Sequence, residues 1–496
     1  MKRSDMQGLP IEILDGNTVT VPASLDYLST YVLLEQEDWF EKELPFVRRL
    51  LQPGMRVLDI GANYGVYSVA MGRAVGPGGR VWAFEPSQST FRFLRHTLAD
   101  NGLNQVEPED CALSDQAGHG RLTQCTNAEL NSLLHGSTTE SGSEEVRIDT
   151  LDAAAARRGM ERIDFVKLDA EGEESRIMAG GRQFLQTEDP LIMFELKHGE
   201  TVNTDLLGRV RESGYRIFRL IGPSELLVPV ENQSSFDGFE LNLFACKSSR
   251  AAQLEQQGLL VMSTPAATGD SPGAGVAYLE RQPFAAGWSR DTAGRNPVLV
   301  EALDAYALWR QQGASAGQRY GALLCCLRRL ELAASQDPNM AVLSMLARVA
   351  YEAGGRVRAV QIIGVILNEA LGHGVALAEP IWPASSRYDS VTRISDVASW
   401  LIAASAQAMV TGSSFSGYFS RDSMLKLLDV LHASPYTNAP MERRRQLQQL
   451  QAGRCAWIEP SPALATEGPE HRNAEFWRQA AAEQTTMPAG LVRPVE

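Results

Sequence analysis

The stretch RVLDIGANYGVYS, Arg56 to Ser68, decides the reading of this chain. Apolar and β-branched positions lead into Asp59, glycines follow at 61 and 65 with Asn63 between them, and an amphipathic helix opens behind. Strand, glycine turn and helix in that order place the run where an open α/β sheet meets its ligand, beyond the carboxyl end of a strand. Gly61 permits the tight turn, and Gly65 lets the helix begin close to a ligand, with backbone N–H donors of the helix start facing it. A G-x-G-x-x-G fingerprint, whose middle glycine admits a pyrophosphate, would need glycine where this chain has Asn63.

Asp59 at the mouth of such a turn suits a cationic ligand better than a pyrophosphate, and S-adenosylmethionine, with its sulfonium and ammonium, is of that kind. Glu85 ends the next expected strand, VWAFE, and is followed by Pro86. An acid there accepts hydrogen bonds from both ribose hydroxyls. That serves any adenosine ligand, so Glu85 alone does not separate a methyl donor from NAD.

Outward from this run the period keeps switching between strand and helix. MRVLDI, RVWAFEP, RIDFVKLDA, PLIMFEL, YRIFRL and ELNLFACK read as strands. GVYSVAMGRAV, SQSTFRFLRHTLADNG, EGEESRIMAGGRQFLQ and TDLLGRVRESG read as helices between them. The alternation predicts an α/β fold, a doubly wound and mainly parallel sheet with helices on both faces. Residues 104–150 are less regular, with a third strand expected in VEPEDCALS.

The 496 residues exceed one ordinary core, so more than one domain is expected. Residues 1–50 read as a hairpin turning at Asp15-Gly16-Asn17, then a helix EDWFEKELPFVRRLL that Pro45 kinks, packing on a sheet domain of residues 51–250. Residues 251–300, rich in Gly, Pro, Ser and Thr, read as a linker. Residues 301–496 read as an all-α domain. Within it Ala347, Gly354, Ala359 and Ile363 fall where a tetratricopeptide-like helix pair places small residues, a turn glycine and an apolar contact. An irregular helical bundle fits the flanking sequence equally well.

The formal net charge of −14 argues against a nucleic-acid partner held by general electrostatics. The cysteines at 111, 125, 246, 325, 326 and 455 form no CxxC pair, so neither zinc site nor disulfide framework is expected. The N-terminus has no apolar core behind its basic residues, and no run is long and apolar enough to span a bilayer. A cytoplasmic protein is expected.

With these motifs in view, residues from about 35 to 246 resemble the FkbM family of S-adenosylmethionine-dependent methyltransferases. LDIGANYGVYS and VWAFEPS match its cofactor motifs, and ALSD at 112–115 its next strand end. IDTLDAAAARRGMERIDFVKLDAEGEESRIMAGG matches its long signature, and PLIMFELKH the strand that ends in an acid. Glu173 stands where the family usually has a small residue, while Glu174 keeps its acid; Ala170 is smaller than the usual Val or Ile.

The resemblance implies a class I methyltransferase fold and methyl transfer from S-adenosylmethionine to a hydroxyl of a sugar, glycan or secondary metabolite. It implies cofactor contacts at Asp59, Gly61, Asn63, Gly65, Glu85, Pro86, Asp110 and Ala112. Asp169 and Glu171 after one strand, and Glu195 and His198 after the next, are the catalytic candidates, His198 having the ordinary pKa best suited to a base. Glu171 and Glu173 are alternatively first-turn acids on a helix start, and Lys167 a strand residue neutralising an acid. Asp169, Glu195 and His198 also have donor atoms for a divalent metal, but sulfonium chemistry does not require one and no metal is expected. The helical domain suggests a protein partner by analogy with repeat folds. The competing readings are a nucleotide-dependent oxidoreductase, and an inactive methyltransferase fold acting through its helical domain.

Overall fold

A computed structural model describes residues 6–123, 133–134, 143–198, 201–222, 226–230, 236–263, 272–285, 296–373, 382–392, 394–420, 423–451, 464 and 466–495, with backbone alone at 133–134, 197–198, 201–202 and 372–373. It divides into two compact units: residues 1–219, 240–253 and 449–496, and residues 220–239 and 254–448. This division differs from the boundaries expected from sequence. Residues 449–496 return to the first unit, and 220–239 leave it for the second.

The first unit opens with β1 (Gln7–Glu12) and β2 (Thr18–Pro22), an antiparallel pair. Asp15 and Gly16 turn between them in the left-handed region, φ 66° and 67°, which is the hairpin signal read from Asp-Gly-Asn. Helices α1 (Leu28–Gln36) and α2 (Glu43–Leu50) follow. The kinked helix expected over residues 37–51 is instead α2 alone, starting at Glu43, and α1 precedes that range. Pro45 therefore falls in a first turn, where a missing N–H costs nothing.

The sheet comes next: β3 (Arg56–Ile60), α3 (Val66–Val75), β4 (Arg80–Phe84), α4 (Gln88–Asp100) and β5 (Val106–Glu109). VEPEDCALS splits at Asp110-Cys111. Its second half is β6 (Ala112–Ser114), which joins β7 (Gly118–Thr123), β8 (Leu133–Leu134) and β9 (Ser143–Thr150) in a separate small sheet. The chain re-enters the main sheet through α5 (Leu151–Arg158) and β10 (Phe165–Leu168). Next come α6 (Glu174–Gly180), α7 (Arg182–Thr187), β11 (Leu191–Glu195), and the short pair β12 (Lys197–His198) and β13 (Thr201–Val202). It continues through α8 (Thr204–Glu212), β14 (Arg216–Ile221), β15 (Leu226–Pro229), which lies in the second unit, and β16 (Asn242–Cys246).

Seven strands of the main sheet lie in the order β14-β16-β11-β10-β3-β4-β5. All neighbours are parallel except β16, which runs antiparallel to β11 and β14. This is the doubly wound, mainly parallel sheet expected. The strands are buried on both faces, so they are near-continuous apolar runs: Val57, Leu58, Val81, Trp82, Phe165, Val166, Ile192 and Met193 are all 3% exposed or less. From β3 the chain winds outward to β4 and β5, and from β10 it winds the other way to β11. The switch point therefore lies between the carboxyl ends of β3 and β10.

Helix α9 (Ser248–Gln256) leads into the second unit, which holds α10 (Ala274–Glu280), α11 (Pro297–Trp309), α12 (Ala316–Gln336), α13 (Met340–Glu352) and α14 (Arg356–His373). Then come α15 (Val397–Ser413), α16 (Gly417–Ser420), α17 (Leu425–His432) and α18 (Ala439–Gln451). Helices α13 and α14 follow one another with Gly354 in the turn between them, and Ala347, Ala359 and Ile363 are buried. Arg348 is buried there too, but its charge is answered by Asp389 and Glu352 and by the Tyr306 hydroxyl, so it serves the core.

The returning tail carries α19 (Ala474–Glu483) and β17 (Arg493–Pro494), the latter antiparallel to β1. Buried Glu37 accepts the backbone N–H groups of Arg472 and Asn473, and Trp477 is fully buried. These contacts explain why the tail belongs to the sheet unit rather than to the helices before it. No described helix is long and apolar enough to cross a membrane.

Candidate active site

At the end of β3 the chain turns through Gly61, φ 79°, and Asn63, φ 50°, into Gly65, φ 93°, which caps α3. The N–H groups of Gly61 and Ala62 both donate to the Phe84 carbonyl, and the Asn63 N–H donates to Glu85 Oε2 at 3.0 Å. The turn is thus laid across the end of β4. A Cβ on Gly61 would lie 1.7 Å from the Asp169 carbonyl oxygen, so glycine is required there to let β10's exit pass against the turn.

Gly65 has a different role from the one expected. The space beside it is filled by Leu94 and Thr97 of α4, 2.8 and 3.3 Å from where a Cβ would sit. Its lack of a side chain seats one helix on another rather than admitting a ligand.

Asp59 also departs from expectation. Its side chain is not at the mouth but fully buried behind the turn, where Ser68 Oγ donates to Oδ2 at 2.6 Å and Lys167 Nζ stands 3.9 Å from Oδ1. The pleat of β3 explains this, since Asp59 shares its register position with Lys167 of β10 and Ala83 of β4, inside the sheet layer. Burial raises the Asp59 carboxyl, and Lys167 and Ser68 pull it back.

Lys167 is 3% exposed and ties the two halves of the switch point together. It donates to Asp169 Oδ2 at 2.8 Å and to the Gly61 carbonyl at 3.2 Å, and lies over the Tyr67 ring at 5.2 Å. Burial opposes its charge, but Asp169 and Asp59 outweigh that and hold it above the ordinary lysine range. Neutralising a neighbouring acid, the reading given to Lys167 from the sequence, is what the geometry displays.

Glu85 lies where expected, at the end of β4. Oε1 accepts from the Ser87 N–H at 2.9 Å and Oε2 from Asn63, which leaves each oxygen one lone pair for a hydroxyl donor. Burial pushes its carboxyl up to about 7 against those bonds. Pro86 follows, half-buried. Asp110 and Ala112, both expected to contact the cofactor, separate. Asp110 is exposed, 3.7 Å from Arg147, whereas Ala112 packs with Leu122 and Val146 in the core of the small sheet, because the chain leaves the main sheet at Glu109.

Beyond β10 and β11 the acids gather. Asp169, Glu171 and Glu195 are half-buried and present carboxylate oxygens within 4.8 Å of one another. Glu171 sits in the left-handed region, φ 49°, outside any helix. The helix α6 starts later: Glu173 caps it and accepts from Ser114 Oγ at 2.7 Å, while Glu174 Oε1 takes the N–H groups of Ala170 and Gly172. Burial first, then Asp169 and Glu171, pushes the Glu195 carboxyl up to about 11, so at neutral pH it keeps a proton among its acidic neighbours. Three such oxygens are also a set a hard cation takes, though an acidic cluster by itself assigns none. The His198 backbone forms β12, pairing with Thr201 of β13; its side chain lies outside the described residues.

Two residues of this region were not read from the sequence. Tyr67, in the first turn of α3, donates from its hydroxyl to Glu41 Oε2 at 2.6 Å. Burial, followed by Asp169 and Glu43, pushes the Glu41 carboxyl up to about 7. The only sequence signal for Glu41 is an acid between aromatic residues and a helix start, in DWFEKE.

Fit for the donor implied by the motifs can be tested on buried atoms. Asp59 Oδ1 and Asn63 Oδ1 have no hydrogen-bond partner among the described residues, and Glu85 keeps lone pairs at the strand end. An acceptor amide beside a diol-binding acid suits an adenosyl ligand carrying an ammonium group.

Comparison with known proteins agrees with this geometry. Residues 59–217 match the methyltransferase FkbM domain. The chain is 31% identical over 159 residues to the 31-O-demethyl-FK506 methyltransferase FkbM of Streptomyces tacrolimicus, covering 26% of this chain and 60% of that one. It is 29% identical over 154 residues to methyltransferase sdnD of Sordaria araneosa, covering 25% and 59%. The chain thus spans about three-fifths of the length of these relatives. A solved methyltransferase FkbM from Methylobacillus flagellatus aligns at 15% identity and TM-score 0.27, covering 41% of this chain and 50% of that one. Residues 59–217 of this chain are therefore a methyltransferase domain of the FkbM family.

Proposed function

We propose that this chain transfers a methyl group from S-adenosylmethionine to a hydroxyl oxygen of a sugar, glycan or secondary metabolite. The observation that carries this reading is the Asn63–Glu85 contact at the switch point of a sheet whose sequence matches FkbM methyltransferases. Glu85 and the Asn63 amide would hold the adenosyl and amino-acid ends. When bound, the donor supplies an already activated methyl group.

The chain's own task is then alignment and proton management. Lys167, fixed by Asp59, Asp169 and the Gly61 carbonyl, keeps the β3 and β10 exits in register. Asp169, Glu171 and Glu195 line the side over β10 and β11 where a hydroxylated acceptor would lie. The name of the Streptomyces relative denotes methylation at an oxygen, which supports an oxygen acceptor here. An oxidoreductase reading is disfavoured because Asn63 takes the place of the middle glycine and its N–H is spent on Glu85.

The test is incubation with radiolabelled S-adenosylmethionine and a panel of methyl glycosides, deoxysugars, polysaccharides and hydroxylated metabolites. Transfer of label to an alkali-stable ether supports the reading. Label found on nitrogen or carbon would refute the oxygen acceptor, and a chain that binds NAD instead of the donor would refute the whole reading.

A further inference from the structure

The acids around the switch point are already in use with few exceptions. Asp59 is buried on Ser68 and Lys167, Glu85 holds two backbone N–H groups, Glu174 holds two more, and Asp169 is bound by Lys167. Glu41 differs. It comes from the segment between α1 and α2, ahead of the family-matched residues, and it rests on a tyrosine hydroxyl rather than on backbone or a cation. That tyrosine, Tyr67, stands on the first turn of the cofactor helix α3, with Lys167 over its ring and Asp169 beyond.

We propose that Glu41, seated on the Tyr67 hydroxyl beside the Lys167–Asp169 pair, is the base that takes the acceptor hydroxyl's proton. This rests on the methyltransferase reading above. As the new C–O bond forms, the donor's C–S bond breaks and sulfur keeps the bonding pair; the acceptor's proton passes to the Glu41 carboxylate. No other co-reactant is needed. Tyr67 donates to the ionised form of Glu41 and so keeps the base ready, while its own hydroxyl is held protonated by burial and by the nearby acids.

The charged and titratable groups facing Glu41 are Glu43 of α2, Tyr67 of α3, Lys167 and Asp169 from β10 and its exit, and Glu195 at the end of β11. Burial, Asp169 and Glu43 favour the protonated carboxyl; Tyr67 and Lys167 favour the carboxylate. The balance leaves Glu41 near the pH at which a base is most effective. Burial, Asp169 and Glu171 raise the Glu195 carboxyl well above the ordinary carboxylate range, which favours its protonated form.

The experiment compares wild type with Glu41→Gln, Glu41→Asp and Tyr67→Phe. Glutamine still accepts the Tyr67 hydroxyl, so the fold is kept. Titration of 13C-labelled carboxyls by NMR, assigned with Glu41→Gln, is expected to show Glu41 ionising near neutrality; a Glu41 ionised throughout the range from about pH 5 to 9 overturns the proposal.

Calorimetry with S-adenosylmethionine is expected to give the same affinity for Glu41→Gln and wild type within about threefold. Turnover with the best acceptor of the hydroxyl panel is expected to fall by about 100- to 10,000-fold in Glu41→Gln, with partial recovery in Glu41→Asp. Tyr67→Phe should move the acid limb of the rate profile to higher pH, by on the order of one unit, which a merely structural role would not do. Glu41→Gln that binds donor and turns over as fast as wild type overturns this proposal alone. A wild type that binds no donor counts against the methyltransferase reading itself.

Discussion

Replacing Gly61 by alanine should break the switch point, and the structure sets the size of the effect. The added Cβ would sit 1.7 Å from the Asp169 carbonyl oxygen, whereas real Cβ atoms essentially never come within 3.0 Å of such a neighbour. Asp169 must therefore retreat by more than an ångström. Its N–H then loses the 3.1 Å bond to the Ile60 carbonyl, and its carboxylate loses the 2.8 Å contact with Lys167. The left-handed φ adds about 1–2 kcal/mol for any residue with a Cβ, and the lost bonds bring the total to roughly 3–5 kcal/mol. Because the two units need not unfold together, the assay is native-state hydrogen exchange of the β3 and β10 amides rather than a global melt. Donor affinity, measured by calorimetry alongside, should fall by about 100-fold, the scale on which an ångström of misplacement acts. Gly65→Ala is the control: it carries the same left-handed backbone penalty at φ 93°, but its Cβ meets the flexible end of Leu94, so its packing penalty of about 1–3 kcal/mol falls on the α3–α4 contact rather than on β10. Gly61→Ala with exchange within about 1 kcal/mol of wild type and unchanged donor binding would refute this reasoning.

Four further outcomes are expected. Lys167→Met strands the fully buried Asp59 and should cost the first unit about 3–5 kcal/mol, a loss that shrinks as pH falls because burial raises the Asp59 carboxyl and its proton removes the stranded charge; a loss that does not change with pH, by hydrogen exchange, contradicts it. Glu85, raised from 4.5 to about 7 by burial, is protonated in the folded chain and ionised in the unfolded one across that window, so stability falls as pH rises through it. Glu85→Gln should flatten the fall by about 2–3 kcal/mol, and parallel curves for the two proteins would exclude it. Glu37→Gln should loosen the returning tail, because buried Glu37 accepts from Arg472 and Asn473 and stands 3.1 Å from His471; limited proteolysis within residues 466–495 should speed up by about tenfold or more, and an unchanged rate denies the latch. Chelation with EDTA should leave methyl transfer within about twofold, since the Glu195 proton already relieves the three-carboxylate group; a drop of about tenfold restored by magnesium would give those oxygens to a divalent ion.

The sheet was legible because its strands are buried on both faces and read as short apolar runs between glycine turns. Val57-Leu58, Val81-Trp82 and Ile192-Met193 each announce a strand, and Glu85 and Asp169 fall at strand ends by simple counting. What counting could not give is the direction of a side chain. Asp59 is one residue from the end of β3, and the pleat turns it inward to Lys167 rather than outward to a ligand. Gly65 looked like a ligand-approach glycine because sequence shows the missing Cβ but not Leu94, which lies 29 positions on and fills the space. Ala112 was assigned to the site because a two-residue turn at Asp110-Cys111 transfers the chain to another sheet, with no glycine or proline to mark it. Glu41 was missed because its partner Tyr67 is 26 positions away, across a helix and a strand. The tail's return is likewise a matter of distant pairing, since Arg493 meets Gly8 only in the folded chain.

The account stands on the switch point between β3 and β10 as a seat for an adenosyl methyl donor. Isothermal calorimetry of the full chain with S-adenosylmethionine, and separately with NAD, tests that most directly. Saturable binding of the methyl donor, weakened by about tenfold or more in Glu85→Ala and with no heat from NAD, is the predicted result. Binding of NAD without binding of the methyl donor, or donor binding indifferent to Glu85→Ala, would contradict it.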